Sequence, residues 1–94
     1  MSNGYLGMVR QWQQLFFSKR YSFTPITGPD LIKIADAYGI AADRVTHRKD
    51  LVSAIKKMRI HNGAYILEVK VQQEDNIFPM IPTGASVEEV KLEE

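Results

Sequence analysis

Cysteine is absent from this 94-residue chain, which excludes a disulfide scaffold and thiolate-ligated zinc and suits a reducing, cytoplasmic setting. No apolar run approaches the roughly 20 residues of a membrane span, so no membrane partner is expected. An excess of one charge is lacking too. Lys and Arg total 12 against 11 Asp and Glu, and the net charge of +1 gives no electrostatic footprint for nucleic acid. Met1-Ser2-Asn3-Gly4 is followed by neither a basic segment nor an apolar core, so it does not read as a secretory signal. Internal repeats and low-complexity tracts are also missing. What is present is ordinary for a globular protein, with 45% hydrophobic and 24% charged residues. A chain of this length buries only about 60–65% of the surface its unfolded form exposes. Composition therefore points to a small α/β or α+β domain, or a piece of one.

Tyr5, Met8, Val9, Trp12, Leu15 and Phe16 recur at helical spacing, with Arg10, Gln13, Gln14 and Ser18 on the other side. This predicts a helix from about Leu6 to Lys19, with Phe17 breaking the stripe and suggesting contacts on more than one face. Two prolines and a glycine make residues 21–30 an extended connection. Gly28-Pro29-Asp30 opens a second helix whose stripe is Leu31, Ile34, Ala35 and Tyr38 and whose stop is Gly39. Ile40 to Val45 reads as a brief strand, and Thr46 as the cap of a third helix, Arg48 to about Ile60, with Leu51, Ile55 and Met58 inward. Ala64 to Val71 is the clearest strand, with Tyr65, Leu67, Val69 and Val71 on one face. Glu68 and Lys70 on the other face predict that it leaves the covered core as it proceeds. A proline-containing stretch follows, then an acidic tail expected as a frayed helix or disordered chain. One or two short strands cannot cover three amphipathic helices, which suggests part of a larger α/β domain.

The segment Asn3-Gly4-Tyr5-Leu6-Gly7-Met8-Val9-Arg10-Gln11-Trp12-Gln13 resembles the loop and helix after the second cofactor motif of acetolactate (acetohydroxyacid) synthase catalytic subunits. Phe78-Pro79-Met80-Ile81-Pro82-Thr83-Gly84-Ala85, some 65 residues beyond Trp12, resembles the C-terminal arm of that family. Between them, DLIKIADAYGI and AYILEVKV stand in the family's order. The resemblance covers nearly the whole chain. It implies an α/β fold, the C-terminal half of an open three-layer thiamine-diphosphate-binding domain with about three helices, one or two strands and an extended arm. Residues 1–71 would be the partial domain and 72–94 the arm and tail.

The resemblance also implies a chemistry, the thiamine-diphosphate- and magnesium-dependent condensation of pyruvate with a second 2-oxoacid in branched-chain amino-acid biosynthesis. Asn3 matches the asparagine that ligates magnesium, and Tyr5 the position that adds a backbone carbonyl; both are hard oxygen donors of the kind magnesium takes. Ser2 stands where the family usually has a further asparagine. Met8 matches a position lining the cofactor. Val9, Trp12 and Phe16 match the substrate channel, where tryptophan favours a larger acceptor, and Thr83 and Gly84 match arm positions over its entrance. No residue matches a proton-transfer catalyst. Without the resemblance, Met8, Trp12 and Phe16 would be core and Asn3-Gly4 a plain turn. His47 and His61 read as exposed helix-terminal residues, and Arg48-Lys49 and Lys56-Lys57 as solvated faces.

A Gly-Asp-Gly motif carrying the aspartate ligand, a domain holding FAD and a cofactor-activating glutamate are expected outside these residues. The chain alone is therefore expected neither to bind thiamine diphosphate tightly nor to turn over pyruvate. Its expected partners are the rest of the catalytic subunit, further copies in a homo-oligomer and, for the full enzyme, a regulatory small subunit. Two alternatives stand beside this reading: a fragment of another thiamine-diphosphate carboligase or decarboxylase, and a non-catalytic binding or scaffold domain.

Overall fold

A computed structural model describes residues 1–93. Its helices are α1 (Gly7–Phe16), α2 (Leu31–Ala37) and α3 (Leu51–Ile60), and its strands β1 (Ala41–Val45) and β2 (Tyr65–Val69). These form an α/β arrangement with a two-stranded parallel sheet, as the sequence predicts. Among the described residues, no helix is long and apolar enough to cross a membrane. The chain divides into two units. The first holds Met1–Gly4 and Thr27–Gln72, the second Tyr5–Ile26 and Gln73–Glu94.

In the first unit α2 is bounded by specific ends. Asp30 is its N-cap and its carboxylate accepts from the Ile32 N–H at 3.0 Å, one position earlier in role than the first-turn acid the sequence suggests. At the other end Gly39 adopts φ +65°, and the Gly39 and Ile40 N–H groups donate to the carbonyls of Asp36 and Ala35, closing a Schellman motif. The parallel pairing of β1 and β2 runs from Ala41 opposite Tyr65 to Val45 opposite Val69, with α3 as the crossover. Thr46 is not the cap of that crossover. A 3₁₀ turn over Arg48–Asp50 leads into α3, because Asp50 N–H donates back to the His47 carbonyl.

The chain leaves the covered core later than predicted: Lys70 and Val71 are exposed, but Glu68 is not. Glu68 is only 5% exposed and is the most buried residue of its strand. The register sets Arg44 opposite it, and Arg44 Nε donates at 2.6 Å while Lys70 pairs with its other oxygen. Two charge-assisted bonds offset the desolvation that led the sequence reading to turn this residue outward. Ala35 and Val45 are the only buried apolar residues among those described. Leu31, Tyr38 and Ile55 of the predicted stripes are exposed, as expected where two strands must cover several helices.

The second unit departs further from the periodicity. Helix α1 ends at Phe16 and not near Lys19, because Ser18 and Lys19 both take left-handed φ (53° and 59°) and reverse the chain. The face that is buried is the polar one: Arg10 and Gln11 are 1% exposed, whereas Met8 and Val9 are about half exposed. Gln13 clamps the returning chain, accepting from the Ser22 N–H at 3.1 Å and donating to the Ser22 carbonyl at 3.0 Å. Among the described residues of the acidic tail, the expected helix is reduced to a single turn, and the chain there is not disordered. Met80 and Lys91 form an antiparallel bridge, and Val87–Glu89 make one 3₁₀ turn. Glu88 N–H donates to Ser86 Oγ, and Ser86 N–H to the Glu89 carboxylate. The Phe78–Pro79 peptide is cis.

Candidate functional site

In open α/β sheets ligands bind beyond the carboxyl ends of the strands. In the first unit that edge is built by β1, β2 and one further residue. Ser2 bridges in parallel to Lys70, with Ser2 N–H donating to the Val69 carbonyl (2.8 Å) and Val71 N–H to the Ser2 carbonyl (3.1 Å). Asn3 follows at once and is half-buried, and Gly4 turns the chain with φ +74°. The predicted magnesium ligand thus sits where the strands end. Glycine suits the left-handed turn that lifts the chain off the sheet there.

A cleft of about 410 Å³ opens at the same carboxyl edge between Val45–Leu51 and Val69–Gln72. Its polar wall includes Thr46, His47, Arg48 and Lys70, and it carries no carboxylate. None of the sequence-predicted site residues lines it. A second cleft, about 300 Å³, is lined by Asp43, Arg44, Asp50, Ser53 and Lys57. There Lys57 donates to Asp43 at 2.8 Å, so it is an ion-pair partner and not merely a solvated lysine, and Tyr65 OH donates to the same carboxylate. Lys57, and then the Tyr65 hydroxyl, hold the Asp43 carboxyl below its ordinary range. The same contact pushes the Tyr65 phenol up. Glu68 is likewise held low, first by Lys70 and then by Arg44. His47 and His61 are exposed, as predicted, and His61 lies edge-on to Tyr65 at 5.2 Å. No group of three His, Cys, Asp or Glu side chains that could hold a metal occurs among the described residues.

In the second unit α1 displays the predicted channel residues on one stripe. The Trp12 and Phe16 rings lie 5.2 Å apart at 56°, and the Lys91 ammonium stands 5.8 Å from the Phe16 ring. Met8 and Val9 are open to solvent one turn earlier, and Tyr5 is half-buried beside a bridge to Pro25. Thr83 and Gly84 occupy the middle of an exposed turn closed by Ala85 N–H donating to the Pro82 carbonyl at 3.0 Å. Gly84 has φ +84°, the third-position conformation of a type II turn.

Sequence reasoning missed the residues that build this unit. Gln11 donates its amide to the Ile77 carbonyl (2.9 Å) and accepts from the Ile77 N–H (2.8 Å). Arg10 reaches Asn76 Oδ1 and Gln14 Oε1, both at 2.7 Å. The available signal was the run of amides at Gln11, Gln13 and Gln14, more than a solvated helix face needs.

The family described as thiamine pyrophosphate enzyme, C-terminal TPP binding domain, matches residues 1–69. Among curated proteins, the chain is 42% identical over 91 residues to acetolactate synthase isozyme 2 large subunit of Escherichia coli (strain K12), covering 96% of this chain and 17% of that protein. It is 40% identical over 94 residues to the mitochondrial acetolactate synthase of Schizosaccharomyces pombe, covering 100% and 14%. A third relative, acetolactate synthase 2, chloroplastic, of Nicotiana tabacum, is 38% identical over 101 residues, covering 99% and 15%. The chain thus spans about a sixth of the length of the curated relatives it matches.

Proposed function

The chain belongs to the thiamine pyrophosphate enzymes, whose C-terminal TPP-binding domain matches its residues 1–69, and from that premise we propose that it works as the C-terminal part of an acetolactate synthase catalytic subunit. The reaction is condensation of pyruvate with a second 2-oxoacid, giving a 2-aceto-2-hydroxyacid for branched-chain amino-acid synthesis. The observation that carries the reading is the position of Asn3, directly beyond the Ser2–Lys70 bridge at the carboxyl end of parallel strands. The relatives support it by their names.

When bound, thiamine diphosphate supplies the electron sink that loss of carbon dioxide from a 2-oxoacid requires. In this reading Asn3 offers its amide oxygen to magnesium and Tyr5 its backbone carbonyl. Neutral oxygens suit the ion, but magnesium dehydrates reluctantly and needs further anionic ligands. Those come from the diphosphate and from a carboxylate outside this chain, so the donors here fit the metal as part of a site. Met8 borders the cofactor. Val9, Trp12 and Phe16 line the acceptor channel, Trp12 narrowing it, and Thr83 and Gly84 lie over its entrance. FAD, the rest of the catalytic subunit, further copies of the chain and a regulatory small subunit belong to the same proposal.

The test grafts residues 1–94 in place of the matching C-terminal segment of the Escherichia coli relative and measures acetolactate formation from pyruvate. The graft is expected to be active, and Asn3→Ala within it to weaken apparent magnesium affinity at least about tenfold. An unchanged magnesium requirement in that variant would remove Asn3 from the metal site. The 94-residue chain alone is expected to show no tight binding when titrated with thiamine diphosphate in excess magnesium.

A further inference from the structure

Two consecutive residues of α1 hold two consecutive residues of the arm. The Gln11 amide meets both backbone groups of Ile77, imitating a β-ladder partner, and Arg10 bonds the side chain of the preceding Asn76. Gln11 Nε2 also lies 3.1 Å from Met80 Sδ. Both holding side chains are 1% exposed. Beyond this grip the arm closes on itself: Met80 and Lys91 exchange backbone bonds at 2.9 and 2.8 Å, and Lys91 sits over Phe16 of the same helix. The Thr83–Gly84 turn belongs to the loop that this bridge closes. The base of that loop is therefore fixed to α1 at one side through Gln11 and at the other through Phe16.

We propose that Gln11 is a positioning residue, the anchor that sets where the arm turn bearing Thr83 and Gly84 lies relative to the Trp12–Phe16 stripe, and through it the discrimination between acceptor 2-oxoacids. The second half of this statement rests on the proposed channel function; the first half does not. An amide is well suited to the task. It offers one donor and one acceptor in a plane, so it satisfies a backbone residue in both directions. Gln11 itself is 1% exposed, so loss of its Ile77 partners leaves the amide buried without water to replace them. A residue that only filled space at this position would need neither group.

The test uses Gln11→Met, which keeps side-chain length and helix propensity while removing both bonds, with amide hydrogen exchange read at Met80 and Lys91 of the 94-residue chain. Two hydrogen bonds, each worth on the order of five-fold in an opening equilibrium, predict exchange about 25-fold faster at these two amides. The amides inside α1 are expected to keep their rates. Unchanged arm exchange, or equal acceleration in α1 and the arm, would overturn the anchor. Should Gln11→Met not fold, Ile77→Pro removes the N–H from the arm side, where the Ile77 side chain is 64% exposed, and is read at the same two amides. In the grafted enzyme Gln11→Met is then expected to shift the ratio of products from competing pyruvate and 2-oxobutyrate, with KM for the acceptor rising more than kcat falls. Arm loosening with an unchanged product ratio would uphold the anchor and overturn the channel role given to Thr83 and Gly84.

Discussion

Replacing Gln13 by methionine isolates the energetics of the loop that returns from α1. Gln13 makes three bonds: two to the backbone of Ser22 and one from the Thr24 hydroxyl at 3.2 Å. Ser22 is exposed, so water takes over there and each lost bond costs about 0.5 kcal/mol. Thr24 is 0% exposed, and its hydroxyl would be left buried without its acceptor, which costs at least about 1 kcal/mol. The expected loss for Gln13→Met is thus about 2 kcal/mol. Thr24→Val removes the same bond from the other side at about 1 kcal/mol and leaves no orphan, since Gln13 keeps Ser22. In the double variant the hydroxyl that Gln13→Met strands is gone, so the cost is expected to stay near 2 kcal/mol and not reach the additive 3 kcal/mol, roughly. Urea unfolding followed by the fluorescence of Trp12, which lies in the same unit, measures all four chains. Strict additivity would refute the argument, because it would mean that the hydroxyl and the amide do not interact.

Three further outcomes follow from single sites. Glu68 is held below its ordinary carboxyl range by Lys70 and Arg44, so its contribution is present above the unfolded pKa of about 4.3 and lost as pH falls through the lower folded value. Urea midpoints should therefore fall steadily below about pH 4.3, and Glu68→Gln should flatten that limb while lowering stability at neutral pH. Gly39→Ala meets no atom within 4 Å but must hold φ +65°, so it is expected to cost about 1 kcal/mol by denaturation, and Gly39→Asn less. Gly84→Ala is strained in the same sense at φ +84° and should speed amide exchange at Ala85, the N–H that closes the arm turn, without altering exchange in β2.

Much of the fold was legible because its signals are local. Gly39 ended α2 and the alternating apolar residues of 65–69 gave β2, both from chemistry within a few residues. What failed were inferences about which side is inside. Glu68 was read outward because a lone carboxylate is costly to bury; the sequence does not reveal that Arg44, 24 residues earlier, stands opposite it in register. Thr46 had the composition of a cap, but the chain used a backbone 3₁₀ bond from Asp50 to His47 instead.

Helix α1 makes the same point for the candidate site. Helical periodicity correctly grouped Met8, Val9, Trp12 and Phe16 on one stripe and Arg10 and Gln14 on another. It could not say which stripe is covered, because hydrophobicity decides that only when polar side chains have no partner better than water. Here they do. Arg10 and Gln11 find Asn76 and Ile77, 66 residues away in sequence, and Gln13 finds Ser22 and Thr24. A helix whose amides are occupied by its own arm and return loop leaves Met8 and Val9 of its apolar stripe about half exposed. Under the proposed function that arrangement suits a helix lining cofactor and substrate, its position fixed by hydrogen bonds on one side and Met8 and Val9 reachable on the other. The exposure of Met8 and Val9 and the burial of Gln11 are therefore two consequences of one design, and a variant that frees the amides should also disturb the stripe's neighbours on the arm.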